Sequence, residues 1–194
     1  MSMPIHMAMA AVLAGEGREL DANARYLAAE QAAIDGERAG DPICPKLRVQ
    51  ARMARGGMLL GGKAYKPAAE LYQETVPLAL ALDDARSVID CLRLASFARE
   101  QAGDLRTALN HGVEATQFAR NVDFETRKTS TLPFVGEAMQ RLAKKSELRA
   151  QATRTAKEIE ELMKEPSPPA KGASPSAAPE KSAAGNLAPS GPDT

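Results

Sequence analysis

Apolar and polar residues are grouped along this chain in helix-length blocks, without the every-other-residue alternation of a strand. Short breaks rich in Gly, Asp, Asn and Pro separate blocks of about 14 to 22 residues, which is the length of ordinary helices. The breaks fall at residues 15–17, 40–45, 61–62, 83–84, 103–104 and 121–124. This pattern predicts an all-α chain of seven or eight antiparallel helices.

Helix-start signals coincide with several of these breaks. Asp84 precedes Ala85, and Asp104 follows the break at Gly103, so each carboxylate can accept free N–H groups of a helix's first turn. Pro45 fits the first turn of another helix, where its missing N–H costs little. These residues predict where three of the helices begin.

The last part of the chain, residues 166–194, consists mainly of Pro, Ala, Ser and Gly. It has too few large apolar groups to offset the entropy lost on ordering. We therefore predict one helical domain, residues 1–165, followed by a disordered tail, residues 166–194.

Parts of the helical region repeat at an interval of 40 residues. The segments 63–84 and 103–124 match at this offset in the pairs Tyr65/Leu105, Ala68/Ala108, Ala79/Ala119, Leu82/Val122 and Asp83/Asp123. Gly56, Ser96 and Gly136 also lie 40 apart, and small residues at a repeated position are what close helix–helix contact requires. A period of this size with paired helices predicts an α-solenoid.

These residues resemble the tetratricopeptide repeat (TPR) family, in a longer variant of its repeat. The matching positions are Gly56, Leu59, Gly62, Tyr65, Ala68 and Tyr72 in one repeat, and Ser96, Gly103, Leu105, Ala108 and Ala115 in the next. The resemblance covers residues 46–124 well, whereas residues 4–40 and 125–164 are degenerate terminal repeats. It implies a short superhelix whose groove binds another protein. The departures from the family pattern are Arg52, Arg55, Arg99 and Gly112.

The segment Gly57–Ala64, "GMLLGGKA", has the spacing of a phosphate-binding loop. That loop requires a preceding strand and a hydroxyl residue after the lysine, but the preceding residues are helical in pattern and Ala64 follows Lys63. We therefore predict that no nucleotide binds here. The glycines are interpreted instead as a tight turn between two antiparallel helices.

A basic segment is the first candidate for partner binding. Residues 42–69 contain six bases and no acid, and Arg48, Arg52 and Arg55 share one helix face because they are four and three residues apart. The preceding residues 16–41 are acidic. The arginines therefore pair with that segment inside the molecule or are simply solvated, or they form a groove wall that binds an acidic peptide through bidentate contacts.

The second candidate is the predicted helix at residues 84–102. Its polar side carries Arg86, Asp90, Arg93, Glu100 and Gln101, and Phe97 falls within that side at helical spacing. In the TPR family this side of each first helix lines the ligand groove. The resemblance implies partner-binding residues on this helix, namely Asp90, Arg93, Phe97 and Glu100. The alternative for Phe97 is that it packs under a neighbouring helix.

Candidate catalytic residues are sparse. His6 and His111 are the two histidines, and neither has a nucleophile or a second ligand at a catalytic or metal-binding spacing. We therefore predict no enzyme activity and no cofactor. The final predicted helix, residues 146–164, has an apolar stripe of Leu148, Ala152, Ala156, Ile159 and Met163. This stripe either covers the last repeat or forms a seam for self-association.

Composition and charge narrow the partner class. The 25 basic and 25 acidic residues cancel, so no global charge favours nucleic acid or a membrane surface. Hydrophobic residues make up 44% of the chain but aromatics only 4%, which suits closely packed helices. The favoured function is a protein–protein interaction module, that is, an adaptor, a co-chaperone or a secretion-type chaperone. The alternative is a structural or regulatory protein that self-associates through its last helix. We expect the interaction module to bind a peptide segment that combines acidic and large apolar side chains.

The expected compartment is the cytoplasm. Two cysteines are too few for a disulfide framework and are interpreted as free thiols. The apolar residues 4–15 have the length of an export signal, but no basic residue precedes them, so we expect the first helix of the fold there. No apolar run reaches the length of a spanning helix.

Overall fold

The computed structural model describes residues 2–145 and 148–164, and within them the chain is helical, with no β-strand. This confirms the all-α prediction. The described helices are α1 (Met3–Gly15), α2 (Glu19–Arg38), α3 (Cys44–Gly61), α4 (Tyr65–Ala81), α5 (Ala85–Gln101), α6 (Leu105–Ala119), α7 (Phe124–Thr129), α8 (Leu132–Leu142) and α9 (Arg149–Leu162). The predicted tail, residues 166–194, lies outside the described residues.

The helices form a solenoid of antiparallel pairs. α1 packs on α2, α3 on α4, α5 on α6 and α8 on α9, and each later pair also packs on the second helix of the pair before it. α3 contacts α5, and α5 contacts α8, so the first helices of these pairs lie side by side in one layer. The second helices α4, α6 and α9 form the other layer, and most of the apolar core lies between the two.

The three small residues spaced 40 apart each lie in close contact with the second helix of their pair. A Cβ atom on Gly56 would come within 2.5 Å of the Tyr72 ring of α4. Ser96 donates its hydroxyl to the carbonyl of Ala108 in α6, at 2.7 Å. A Cβ atom on Gly136 would touch Ile159 of α9 at 3.4 Å. The prediction that this repeated position serves close helix contact is therefore confirmed.

Five of the interhelical turns have the same closure. Each contains one residue with positive φ, namely Gly17, Gly40, Lys63, Asp83 and Gly103. The residue after it donates its N–H to a carbonyl five residues earlier, as Ala64 does to Leu59 at 2.8 Å. This is the Schellman closure of a helix C-terminus.

The turn in "GMLLGGKA" differs from the sequence interpretation in one respect. The left-handed residue is Lys63, with φ of 59°, whereas Gly62 has φ of −77°. A non-glycine residue in this conformation costs about 1 kcal/mol. Lys63 therefore lies on a strained helix–helix turn that follows a helix, which is not the strand-to-helix context of a phosphate-binding loop.

The predicted helix starts are confirmed. Asp84 accepts a hydrogen bond from the Ser87 N–H at 3.1 Å, and Asp104 accepts one from the Thr107 N–H at 3.2 Å. Pro45 lies in the first turn of α3. Each cap fixes the first turn of its helix by satisfying a backbone donor that has no intrahelical partner.

The region after residue 120 departs from the predicted helix count. Asp123 caps the six-residue α7, and the extended Ser130 (ψ 178°) separates α7 from α8. Pro133 then lies in the first turn of α8. The sequence pattern did not predict this second break, because the segment keeps a helical composition across it.

The apolar stripe of the last helix is used inside the domain. Ala152 and Ile159 are buried in the main core, and Leu148, Ala156 and Met163 pack against that core from its edge. The stripe therefore covers the last repeat, and the residues that α9 exposes are mostly charged or polar. Among the described residues, no helix is both long and apolar enough to cross a membrane.

Candidate functional site

Arg52 lies between α2 and α4 and contacts both helices. Its guanidinium donates to Glu30 at 2.7 Å, to Glu74 at 2.6 Å and to the Thr75 hydroxyl at 3.1 Å. Its side chain is only 12% exposed. Arg52 is therefore held by three partners inside the molecule.

The two neighbouring arginines are paired in the same way. Arg48 donates to Glu37 at 3.3 Å and lies 4.0 Å from Glu30, while Arg55 donates to the Asn23 side chain at 2.8 Å and lies 3.9 Å from Glu30. All three arginines thus surround one buried carboxylate, Glu30, which is 9% exposed.

Of the alternatives for the basic segment, the structure shows the pairing of the arginines inside the molecule. The charges of Arg48, Arg52 and Arg55 are matched by Glu30, Glu37 and Glu74, and the guanidinium groups are directed towards α2 and α4. The arginines therefore do not form a wall of unpaired positive charge, and their role in partner binding stays a prediction. The physical reason is that acidic residues on α2 and α4 face the arginines across the helix contacts.

The polar side of α5 faces α8. Asp90 accepts hydrogen bonds from the hydroxyl and the N–H of Thr131, at 2.6 and 3.3 Å. Ten residues further along the helix, Glu100 accepts two hydrogen bonds from Arg141, the shorter at 3.0 Å. These two contacts fix α8 beside α5 and leave Arg93 and Phe97 between them.

Two cations on this side, the exposed Arg86 and the half-buried Arg93, have no salt bridge among the described residues. The Nε atom of Arg93 is buried without a hydrogen-bond partner among the described residues. Burial lowers the pKa of its guanidinium below the ordinary value, and the nearby Asp90 partly opposes that shift. Arg93 therefore carries a charge whose desolvation is incompletely compensated.

Phe134 of α8 completes the surface. The guanidinium carbon of Arg93 lies 5.7 Å from the centre of the Phe134 ring, which is cation–π distance. Phe134 is 55% exposed, whereas Phe97, one turn along α5 from Arg93, is half-buried. We call Arg93, Phe97 and Phe134 the α5–α8 surface. It combines an incompletely paired cation, the aromatic ring in contact with it, and a second ring one turn further along α5.

Phe134 was missed by sequence reasoning, although a signal was present. Phe134 lies 40 residues after Leu94, which is next to Arg93 on α5. The 40-residue period therefore places Phe134 at the position of α8 that is equivalent to Leu94. Thr131 and Arg141, which fix α8 beside α5, were also missed. The degenerate last repeat hid which residues of α8 face α5.

His111 of α6 is a second polar residue with incomplete pairing, and its side chain is buried. Both ring nitrogens lack a hydrogen-bond partner among the described residues, and Nδ1 lies 3.6 Å from a Glu114 carboxylate oxygen. Burial lowers the pKa of His111, Arg99 lowers it further, and Glu114 and Asp104 oppose the shift. The neutral imidazole is therefore favoured in the folded state.

We expect the domain to lose stability as the pH falls below about 6.5, the ordinary histidine value. The unfolded chain then binds a proton that folded His111 resists, so protonation favours unfolding. Melting curves between pH 8 and about 5 on the parent and on His111→Gln measure this. The variant should lose part of the pH dependence; equal slopes for both proteins would contradict the assignment.

The surface also has depressions outside the α5–α8 surface. One of about 550 Å³ lies along α6 and α9 and is lined by Arg120, Arg154, Lys157, Glu158, Glu161 and Leu162. Arg120 is paired with Glu158 across it, and acids and bases are nearly balanced. We assign no ligand to this depression, because it offers neither unmatched charge nor an apolar floor.

Comparisons with known proteins yielded a fold resemblance. No protein-family model matches the chain, and no curated protein matches it. Among solved structures, a chain named "DHF58 filament" aligns over 82% of this chain and 90% of its own, with a TM-score of 0.53 and 20% identity. At this identity the likeness supports the helical fold alone.

Proposed function

We propose that this chain is a TPR-type protein-binding module, an adaptor or a chaperone, that binds a partner segment at the α5–α8 surface. The carrying observation is Arg93, a half-buried guanidinium that stacks on exposed Phe134 and has no salt bridge among the described residues. A partner carboxylate would supply the missing charge and hydrogen-bond acceptor.

The same surface suits an apolar side chain beside that carboxylate. Exposed aromatic rings are frequent binding anchors, because they bury a large area at low entropic cost. Phe134 offers such a ring on α8, and Phe97 adds a half-buried one on α5. The proposed ligand is therefore a peptide with Asp or Glu next to a large apolar residue. Both Cys44 and Cys91 are free thiols, which suits a reducing compartment such as the cytoplasm.

Selection from a random peptide library on the full chain tests this function. We expect enrichment of peptides in which an acidic residue neighbours a large apolar one. Phe134→Ala should weaken binding of the selected peptides at least about tenfold, because it removes an aromatic anchor. Arg93→Gln should abolish the preference for the acidic position.

Arg106→Gln is the matched control, since Arg106 is an exposed arginine on α6 in the other layer. It removes the same charge and should leave binding unchanged. Peptides selected without an acidic preference, or peptides that bind Phe134→Ala and Arg93→Gln as tightly as the parent, would refute the α5–α8 assignment.

A further inference from the structure

α1 exposes an apolar face at the first end of the solenoid. Residues 3–15 contain no Asp, Glu, Lys or Arg. Met3 and Ala10 are buried against the domain, whereas Ile5 is 47% and Val12 62% exposed. Ala8 and Ala11 are also exposed. We call Ile5, Ala8, Ala11 and Val12 the outer face of α1.

The repeat explains why this face is apolar. Counted back from the left-handed turn residue that follows each helix (Gly17, Lys63 and Gly103), Ile5 corresponds to Ala51 and Cys91, and Val12 corresponds to Met58 and Ala98. Ala51, Cys91 and Ala98 are at most 1% exposed. Met58 is half-buried, so Ile5 and Val12 occupy positions that the later repeats bury wholly or in part.

Ala51 shows what covers this position inside the solenoid. It is buried in a cluster with Met3 of α1 and Ala29 of α2, which belong to the preceding helix pair. Among the described residues, α1 has no preceding pair. Terminal repeats usually carry a polar outer face for this reason. α9 has one at the other end of the domain, but α1 does not.

We infer that a second copy of this chain covers the outer face of α1, through antiparallel pairing of two α1 helices about a two-fold axis. The spacing makes the face self-complementary. Ile5 and Val12 lie two helical turns apart with Ala8 between them, so an axis near Ala8 places Ile5 of one copy beside Val12 of the other. The small Ala8 and Ala11 permit close approach of the two backbones.

The charges of the domain favour this two-fold pairing over head-to-tail stacking on α9 or binding to an anionic membrane. The opposite end of the domain, α9, exposes Arg149, Arg154, Lys157, Glu160 and Glu161, so head-to-tail stacking would bury these charges against an apolar face. The charged residues that follow α1 are Glu16, Arg18, Glu19 and Asp21. Their net negative charge disfavours an anionic membrane surface.

Light scattering and sedimentation of the full chain, over a wide range of concentration, test the pairing. We expect a dimer that does not grow further. Val12→Glu should raise the dissociation constant by roughly a hundredfold, because it places an unpaired carboxylate in the interface. Leu80→Glu is the matched control, since Leu80 of α4 is 46% exposed and lies away from α1; the control should remain a dimer.

A second variant locates the axis. Ala8→Cys should form a disulfide-linked dimer under mild oxidation, whereas Ala150→Cys, at an exposed position on α9, should not. Circular dichroism confirms that each variant is folded. A monomeric parent, growth beyond two copies, equal dissociation of Leu80→Glu, or binding of the parent to phosphatidylserine vesicles would each overturn the inference. This test does not involve the α5–α8 surface.

Discussion

Glu30→Ala should be among the most destabilising single substitutions in the domain, at about 3 kcal/mol. Glu30 is the carboxylate that Arg48, Arg52 and Arg55 surround, and it accepts a 2.7 Å hydrogen bond from Arg52. Removing one partner of a buried ion pair leaves uncompensated charge and costs about 3–5 kcal/mol. The lower end of that range applies here, because each arginine keeps another hydrogen-bond partner.

Glu74→Ala is the control for this prediction. Glu74 binds the same Arg52 at 2.6 Å, but its side chain is 68% exposed, so its loss should cost less than about 1 kcal/mol. Thermal melts should show a loss of about 2–4 °C for each kcal/mol in a domain of this size. Equal losses for Glu30→Ala and Glu74→Ala would contradict the view that burial makes Glu30 the centre of the network.

A further pair of variants separates charge from packing. Replacing Glu30 and Arg52 together by Leu should be less destabilising than Glu30→Ala alone, because the most buried of the three arginines is then removed together with its carboxylate. Additive losses for the two single substitutions would instead indicate that packing, not pairing, carries the energy. Non-additive losses would identify Arg52 as an ionic contact between α2 and α4 and not as a packing residue.

The helical fold was predictable because its signals are local. Asp84, Asp104 and Pro45 act within one helical turn, and each starts a helix in the structure as predicted. The small residues Gly56 and Ser96 recur at a fixed interval, so close helix contact could also be inferred from the sequence. Local signals of this kind can be interpreted without knowledge of tertiary contacts.

The candidate site was only partly predictable because its decisive contacts are between distant residues. The face shared by Arg52 and Arg55 is visible from spacing, but their partners Glu30 and Asn23 lie on α2, more than twenty residues away. Charge patterning therefore left open whether the arginines pair within the molecule or face a partner, and the structure shows the internal pairing. The resemblance to the TPR groove pointed to Arg93. Its contact with Phe134 depends on the packing of α8 against α5, which the sequence does not show.

Gly56→Ala and Gly57→Ala should change stability in opposite directions, although the two residues are adjacent on α3. Helix propensity alone predicts a gain of up to about 1 kcal/mol for both. A Cβ atom on Gly56 would, however, lie 2.5 Å from Tyr72 Cζ, and Tyr72 is 1% exposed and donates its hydroxyl to the Met53 carbonyl. Overpacking at such a site costs about 1–3 kcal/mol.

Gly57 provides the internal control because a Cβ atom there would meet only the Tyr72 hydroxyl, at an ordinary 3.8 Å. Gly57→Ala should therefore raise the melting temperature and Gly56→Ala should lower it. Tyr72→Leu, which removes the ring, should make Gly56→Ala less harmful than in the parent, a non-additivity expected only for residues in contact. If Gly56→Ala stabilises the domain as Gly57→Ala does, or if Tyr72→Leu leaves its effect unchanged, the close α3–α4 contact at the repeated small position is refuted.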